Sequence, residues 1–383
     1  MKISEFRNAV NSPEHNPAHP VGTAMLLQQL ISAHAQNENA FSALFKNGVL
    51  TIPHQDVVGT VISFLTPKFE NTNESRVALK QQIQILQGQK QWPDLASLAS
   101  STNLICSDAH PELGLPPQLY QEGSKKLVEW SGFSRLFNQL ANVTGSENLL
   151  PAGVMGDLYQ TALSTVLLEL FKNTHDHATH EISGADIPSS VRGIFAKFYS
   201  AESIEKIAVD VPATYPPSAA VSYAKAVVQK IPKRGTANIS SGLGANGVLE
   251  VSIFDSGPGM AARWAREDAT HMTPRTQLDN VLNCLTKGQT STGASSRGFG
   301  LWKVLRSIEE VRGFIRIRTN GVHGFRRFDA KAYRDTAHIS NDGERPIPKE
   351  TLLDWTKGFS PHPSTYPERR GAVVSILIPT GVA

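Results

Sequence analysis

The feature that most constrains the fold of this chain is a helical pattern at residues 167–178, LLELFKNTHDHA, which combines an apolar face with a polar edge. At about 100° per residue, Glu169, Asn173 and Asp176 fall on one stripe of a helix. Leucine and valine side chains form a second stripe, roughly a quarter to a third of a turn away. A helix of this kind can pack on a sheet while its polar edge faces a cleft. We expect it to span residues 157–180.

The polar edge carries oxygen atoms of the kind that magnesium prefers. Mg²⁺ binds one or two side-chain oxygens and shares its remaining positions with phosphate and water. The amide of Asn173 suits this role, and Glu169 could position or deprotonate a water molecule. An ordinary solvated polar stripe is the alternative interpretation, and the helix alone does not decide between the two.

A second stretch, VSIFDSGPGMA at residues 251–261, reads as a strand that ends at Asp255 and turns at Gly257 and Gly259. A carboxylate buried at a strand end can accept a hydrogen bond from an exocyclic amine such as that of adenine. Glycine lets the backbone pack against a flat base because it has no Cβ. An ordinary turn would have the same composition.

A third stretch, TKGQTSTGASSRGFGLWKV at residues 286–304, changes abruptly from a loop into an apolar helix. The free N–H groups at a helix N-terminus favour phosphate, and Lys287 and Arg297 would add positive charge. The stretch lacks the G-x-x-x-x-G-K-[ST] pattern of a Walker A loop. Taken alone, it is also compatible with a flexible linker.

In this order, the three stretches resemble the nucleotide-binding motifs of the GHKL ATPase superfamily. That superfamily includes gyrase-type ATPases, heat-shock chaperone ATPases, histidine kinases and mismatch-repair ATPases. ELFKNTHDHA resembles the N box, DSGPGM the first glycine box, RGFGL the second glycine box and RRGAVVSILIP the closing strand. The resemblance covers residues 157–383 and implies a Bergerat-type fold that binds ATP and Mg²⁺.

The resemblance also implies a role for each matching residue. Asn173 would hold Mg²⁺ against the phosphates, Glu169 would be the general base and Asp255 would bind the adenine amine. Asp176 matches a second acid near the nucleotide in the chaperone and mismatch-repair branches. A phosphate-covering lid would span residues 285–297, hinged at the second glycine box. The other nucleotide-binding positions would be Gly257, Gly259, Met260, Lys287, Arg297, Gly298, Phe299, Gly300 and Leu301.

Three departures from the family pattern concern the phosphate end of such a site more than the adenine end. His177 separates the second acid of the N box from the alanine that usually follows it directly. Ser296 and Arg297 stand where many second glycine boxes have more glycine. Ala372 occupies a closing-strand position that is threonine in many relatives. These departures bear on the lid and on the contacts to the β- and γ-phosphates.

The patterns on the two sides of residue 150 predict two domains in an α+β chain. Residues 1–149 read as a mostly helical interaction or regulatory domain, and residues 150–383 as an ATP-binding domain. In the second domain, helices on one face of a mostly antiparallel sheet would form a two-layer α/β sandwich. A chain of 383 residues is long enough for two such domains.

Three functional hypotheses stay open. The first is an Mg-ATP-dependent ATPase whose nucleotide state gates a partner-binding N-terminal domain. The second is a protein kinase, either resembling the mitochondrial dehydrogenase kinases or an atypical histidine kinase. The third is a metallohydrolase at the histidine-rich helix end, where His175, Asp176, His177 and His180 lie close in sequence.

Composition adds expectations about partners and setting. The net charge of +3 does not point to nucleic acid or membrane. Arg316 and Arg318 alternate on one strand face, with Arg312, Arg326 and Arg327 nearby in sequence. They leave a nucleic-acid or protein surface open, beside a solvated outer sheet face or ion pairs. Two isolated cysteines, an N-terminus without an apolar core and the lack of a long apolar run predict a cytoplasmic protein. We also expect a protein partner and, as in many family members, an ATP-dependent homodimer.

Overall fold

A computed structural model shows an α+β fold. It describes residues 16–52, 56–65, 69–90, 100–110, 112–147, 150–151, 153–187, 190–210, 218–229, 243–288, 300–329, 351–358 and 362–381. Within these ranges it contains α-helices, a small two-stranded hairpin and one seven-stranded sheet. None of the helices in the described ranges is long and apolar enough to span a membrane.

The elements follow one another along the chain as helices, strands and then a mixture of both. The helices are α1 (Gly22–Gln36), α2 (Val57–Phe64), α3 (Thr72–Lys90), α4 (Trp130–Val143), α5 (Gly153–His177), α6 (Ala201–Asp210), α7 (Ala219–Val228), α8 (Met260–Ala265), α9 (Pro274–Leu285) and α10 (Gly300–Glu310). The strands are β1 (Phe45–Lys46), β2 (Val49–Leu50), β3 (Ser101–Ser107), β4 (Val191–Ser200), β5 (Gly247–Asp255), β6 (Phe314–Thr319), β7 (Val322–Arg327), β8 (Leu353–Asp354) and β9 (Ala372–Thr380).

The large sheet has the order β3-β4-β5-β9-β6-β7-β8, and every neighbouring pair is antiparallel. Helices cover both of its faces. On one face α4, α5, α9 and α10 share a core with side chains such as Val251 and Ile376. On the other face α1 and α2 pack on Phe195 and Phe254, and α6 and α7 pack on Val248. The α+β class and the antiparallel sheet are confirmed, whereas the prediction of helices on one face only is wrong.

The physical reason for the second helical layer is visible in the central strands. GVLEVSIFD and AVVSILIPT are buried at every position along β5 and β9. Strands that are buried on both faces read as nearly continuous apolar runs instead of alternating ones. Apolar side chains point to both faces of these strands, so each face of the sheet must be covered by other elements.

The sheet joins the two segments that the sequence separates at residue 150. Strand β3 precedes that position, and it pairs with β4 over seven residue pairs, from Ser101 opposite Lys197 to Ser107 opposite Val191. Helix α1 packs against the same sheet. Residues 16–147 thus contribute an edge strand and a helical layer to the fold. The sequence prediction missed β3 because its apolar run is short and does not alternate.

Helix α5 begins at Gly153 and ends at His177, three residues before the predicted end. Its buried side chains include Leu163, Leu167 and Phe171, which face the sheet, α4 and α10. The Arg263 guanidinium donates hydrogen bonds to the backbone carbonyls of His177 and His180. A cation at the C-terminal end of a helix satisfies orphan carbonyls and complements the helix dipole.

The arginines of β6 and β7 are buried, so they do not form a solvated or nucleic-acid-binding surface. Arg316 and Arg326 are each 1% exposed. Arg316 Nε donates to His323 Nε2 at 2.9 Å, and Arg327 forms an ion pair with Asp329 at 2.7 Å. The sequence left two alternatives to a binding surface, a solvated sheet face and ion pairs. The ion-pair interpretation holds for Arg327. In contrast, Arg312 is exposed in the turn before β6.

We predict that Leu104→Ala destabilises the whole described fold in one transition. Leu104 lies on β3 and is fully buried in the same core as α5. Removing a buried leucine side chain costs about 2–5 kcal/mol. Equilibrium urea unfolding, followed by circular dichroism, measures the change. Leu79→Ala on α3 is the matched control, because Leu79 is 44% exposed and its truncation should cost less than about 0.5 kcal/mol. Two separate transitions, with only one of them shifted, would contradict a shared core.

Candidate functional site

Helix α5 brings the predicted motifs together. A Cβ at Gly257 would lie 2.7 Å from Ala178 Cα, directly after the C-terminal end of α5. A Cβ at Gly300, the first residue of α10, would lie 2.7 Å from Glu169 Oε2. Glu169 precedes Ala178 by nine residues, about 13 Å along a helix axis at 1.5 Å per residue. The turn at Gly257 and the start of α10 at Gly300 thus lie against the two ends of one stretch of chain, residues 169–178.

Asp255 is a buried carboxyl at the C-terminal end of β5. Its Oδ1 accepts hydrogen bonds from the backbone N–H of Gly257 at 2.9 Å and of Ala372 at 3.3 Å. Burial raises the pKa of Asp255 to about 6, against the opposing effect of these hydrogen bonds and of the Arg192 and Arg370 charges. Among the described residues, no group donates a hydrogen bond to Oδ2. This oxygen is the acceptor that a ligand could use.

A row of side chains crosses the sheet at Asp255. Cross-strand pairing places Cys106 opposite Arg192, Arg192 opposite Asp255, Asp255 opposite Ala372 and Ala372 opposite Thr319. Directly opposite residues of an antiparallel pair point to the same face. The row lies on the face covered by α5, because the neighbouring Ile194, Ile253 and Val374 belong to the core on that side. It therefore forms the floor beneath the C-terminal end of α5.

Arg192 is the buried cation of this row. Its side chain is 1% exposed and forms a bidentate ion pair with the Asp108 carboxylate. The guanidinium also donates to the Tyr120 hydroxyl, from Nε at 3.3 Å and from Nη2 at 3.0 Å. The Tyr120 hydroxyl lies 3.2 Å from His175 Nδ1 on α5. The network connects the strand floor to the helix above it.

The glycines of the first motif are required by contacts within the protein. Gly259 has φ +95° and precedes α8, and a Cβ there would lie 2.4 Å from Asn320 Oδ1. Asn320 Oδ1 accepts from the backbone N–H of Ala261 at 3.1 Å, and its Nδ2 donates to the Pro258 carbonyl at 2.9 Å. Gly257 approaches Ala178 in the same way. Close packing thus accounts for both glycines, whereas the sequence attributes them to a flat base.

The three side chains on the polar edge of α5 lie in three different environments. Glu169 is 16% exposed, and its Oε1 lies 3.1 Å from Lys303 Nζ on α10. Asn173 Nδ2 is buried, and no group in the described part of the chain forms a hydrogen bond with it. Asp176 is exposed. The edge therefore offers a paired acid, an amide with unused hydrogen-bonding capacity and a solvated acid within two helical turns.

The second glycine motif is described only from Gly300 onward. Leu301 packs against the core beside α5. The Lys287 ammonium lies 4.9 Å from the centroid of the Trp302 ring, which places this lysine beside the first turn of α10. Met260, from the first motif, donates its backbone N–H to Thr319 Oγ1 at 2.9 Å. Arg297, Gly298, Phe299 and most of the predicted lid lie outside the described residues.

The histidines near the end of α5 do not converge on a metal site. His175 contacts Tyr120, and His180 Nε2 lies 2.9 Å from Asp186 Oδ1 in an exposed pair. In the described residues, no group of three or more histidine, cysteine, aspartate or glutamate side chains could hold a metal ion. The metallohydrolase hypothesis therefore has no geometric support in this part of the chain.

The sequence interpretation missed two residues of this arrangement, Lys303 and Arg192. Lys303 carries no local signal, because its partner Glu169 lies 134 residues away. Arg192 does carry one. It has the same parity as Ile194 and Ala196 in the strand pattern RGIFAKFY, so it falls on the apolar face. A charged residue at such a position predicts a buried partner, since a buried unpaired charge is costly.

Comparison of the whole chain with protein-family models, curated proteins and solved structures gives no match. The functional argument therefore depends on the residues and their geometry.

We predict that Asp255 makes wild-type stability fall as the pH rises from 4 to 7. Its pKa is about 6 in the folded chain against an ordinary value of 3.8, so its protonated form is favoured by folding. This contribution is complete below about 3.8 and is lost as the pH rises through about 6, a change of about 3 kcal/mol. Asp255→Asn removes it. Urea unfolding of both proteins at several pH values tests this, and parallel stability curves would contradict the assignment.

Proposed function

We propose that this protein binds Mg-ATP in a Bergerat-type, GHKL-like site and hydrolyses the terminal phosphate. One observation carries the proposal: Gly257 of the first glycine motif contacts Ala178, directly after α5, and Gly300 of the second contacts Glu169 on α5. These contacts are about 13 Å apart along the helix, which is the scale of an extended nucleoside triphosphate. The nucleotide would lie along this stretch, with its base near Asp255 and its phosphates near α10.

The base end has the acceptor that an exocyclic amine requires. Asp255 Oδ1 is occupied by two backbone N–H groups, which fix the plane of the carboxylate. Oδ2 accepts no hydrogen bond from a described residue and can therefore accept one from the adenine amine. A hydrogen bond to a charged group contributes more than a neutral one, about 1.5–3 kcal/mol. This supports adenine as the base, because guanine has a carbonyl at the corresponding position.

The phosphate end combines cations, an amide and a helix N-terminus. Lys303 is 51% exposed, and Lys287 lies beside the same first turn of α10. The N-terminal N–H groups of α10, an 11-residue helix, favour anions. The Asn173 Nδ2 is a buried donor without a hydrogen-bond partner among the described residues, so a phosphate oxygen could accept from it. The Oδ1 of the same amide would be the ligand to Mg²⁺. Bound Mg²⁺ would neutralise phosphate charge.

Glu169 is the group that we assign to hydrolysis. Its carboxylate lies between Gly300 and Lys303, at the start of the helix that would face the phosphates. Phosphate oxygens would give Lys303 a second anionic partner and leave the carboxylate able to take a proton from water.

We further propose that the segment before residue 150 senses the nucleotide and binds a protein partner. Two of its residues contact neighbours of the proposed ligand residues. Asp108 pairs with Arg192 beside Asp255, and Tyr120 contacts His175 two residues after Asn173. A change at either end of the site would therefore reach this segment through side-chain contacts. The partner and an ATP-dependent homodimer are parts of the same proposal.

We predict that Asn173→Ala weakens Mg-ATP binding far more than binding of metal-free adenosine. The substitution removes the amide at the phosphate end and leaves Asp255 intact. Asp255→Asn is the matched comparison, because it should weaken both ligands at least several-fold by mispairing the amine. Isothermal titration with the folded proteins measures both affinities. Equal losses for the two ligands in Asn173→Ala would make this residue structural, and wild-type protein that binds neither ligand would refute the proposed function.

We predict that Glu169→Gln binds Mg-ATP with nearly wild-type affinity and hydrolyses it at least tenfold more slowly. Glutamine keeps the size of the side chain but cannot take the proton, and general-base assistance contributes about 10²–10⁴-fold in rate. ATP labelled on the γ-phosphate reports free phosphate and protein-bound phosphate separately. An unchanged rate would exclude Glu169 as the base. Label transferred to a protein would favour the kinase hypothesis.

A further inference from the structure

The row of side chains beneath α5 contains one buried cation next to one buried acid. Arg192 and Asp255 are direct cross-strand partners. Such partners have Cβ atoms about 4.5–5.5 Å apart on the same face of the sheet. Arg192 is 1% exposed and Asp255 is 7% exposed, so little water screens the charge of one from the other.

The guanidinium of Arg192 is fixed by groups other than Asp255. Asp108 holds it through a bidentate ion pair, and the Tyr120 hydroxyl accepts from both Nε and Nη2. The hydrogen bonds of Asp255 come instead from two backbone N–H groups. Arg192 therefore acts on Asp255 through its positive charge, and it leaves Oδ2 free of a hydrogen bond among the described residues.

We propose that Arg192 is a positioning residue that keeps Asp255 ionised, so that the carboxylate can accept a hydrogen bond from the amine of the base. The ligand part of this proposal rests on the proposed function. The effect of Arg192 on the protonation of Asp255 does not, because it depends only on the cross-strand placement of the two side chains.

The other groups that face Asp255 set the size of the effect. Arg370, in the segment before β9, donates to the Ser256 carbonyl and pairs with Glu181. Arg263 on α8 is near enough to interact with the Asp255 charge. Burial raises the pKa of Cys106 to about 12 and also raises that of Tyr120, so both stay neutral at pH 7. Burial likewise lowers the pKa of His175.

Two substitutions should therefore shift Asp255 in opposite directions. Arg192→Met removes the cation and should raise the pKa of Asp255 by about 1 or more, as expected for the loss of a nearby opposite charge. Asp108→Asn removes the anion that partly neutralises Arg192, so it should lower that pKa. Arg192→Lys keeps the charge and should stay close to the wild type. A residue that only supports packing would not produce shifts of opposite sign.

The test is a carboxyl titration by ¹³C NMR of protein labelled with ¹³C-aspartate, with the Asp255 resonance assigned by Asp255→Asn. Tyr120→Phe is one control, because it removes a hydrogen bond to Arg192 without changing any charge. Arg275→Met is the second, because Arg275 is exposed on α9 and pairs with Asp279. We expect no shift in either control. Titration midpoints that stay unchanged in both Arg192→Met and Asp108→Asn would overturn the proposal.

Calorimetric titration with adenosine at pH 5–8 is the second measurement. A rise of 1 in the pKa of Asp255, from about 6, lowers the ionised fraction at pH 6 about fivefold. Arg192→Met should therefore bind adenosine about fivefold more weakly than the wild type at pH 6, with a smaller loss at pH 8. If Arg192→Met does not fold, the proposal is tested by Asp108→Asn alone, which should lower the pKa of Asp255. Opposite NMR shifts in a protein that binds no adenosine would support the role of Arg192 and refute the nucleotide site.

Discussion

The packing of α5 on the sheet is the constraint on which the rest of the structure depends. Its apolar side chains fill the core beneath it, and its last turns meet the turn after β5 on one side and the start of α10 on the other. At Gly257 a Cβ would lie 2.7 Å from the Cα of Ala178, which is closer than a side chain permits. Glycine at position 257 therefore sets how near the turn after β5 comes to the end of the helix, whereas a Cβ at position 300 would meet only the flexible end of the Glu169 side chain. A bulkier residue at position 257 would push this turn away from the end of α5.

Buried charge is the second physical theme, and the fold handles it in two ways. Arg192 is compensated by a carboxylate and a hydroxyl, as a buried cation requires. Asp255 receives only backbone hydrogen bonds and the field of nearby arginines, so its pKa stays raised, at about 6. Perturbed acids of this kind cluster at functional sites. The incomplete compensation of Asp255 is consistent with an acceptor reserved for a ligand.

The segment before residue 150 belongs to the same structure as the candidate site. Strand β3 extends the sheet, and Asp108 and Tyr120 follow it closely in the chain and contact Arg192. Helix α1 is also tied to the far side of the sheet, because Gln28 Nε2 donates to the Arg318 carbonyl at 2.7 Å. Residues of this segment therefore share hydrogen bonds with the sheet that carries Asp255.

The sequence by itself determined the helical span of α5, the strands β4, β5 and β9, and the position of Asp255 at a strand end, because these follow from local periodicity and turn residues. Only the tertiary structure decided what lies across from them. Lys303 pairs with Glu169 and Arg192 stands opposite Asp255 because the sheet register and helix packing bring together residues that are far apart in the chain. The second helical layer and the role of β3 have the same origin. Periodicity shows which face of an element is apolar, but it does not show which element covers that face.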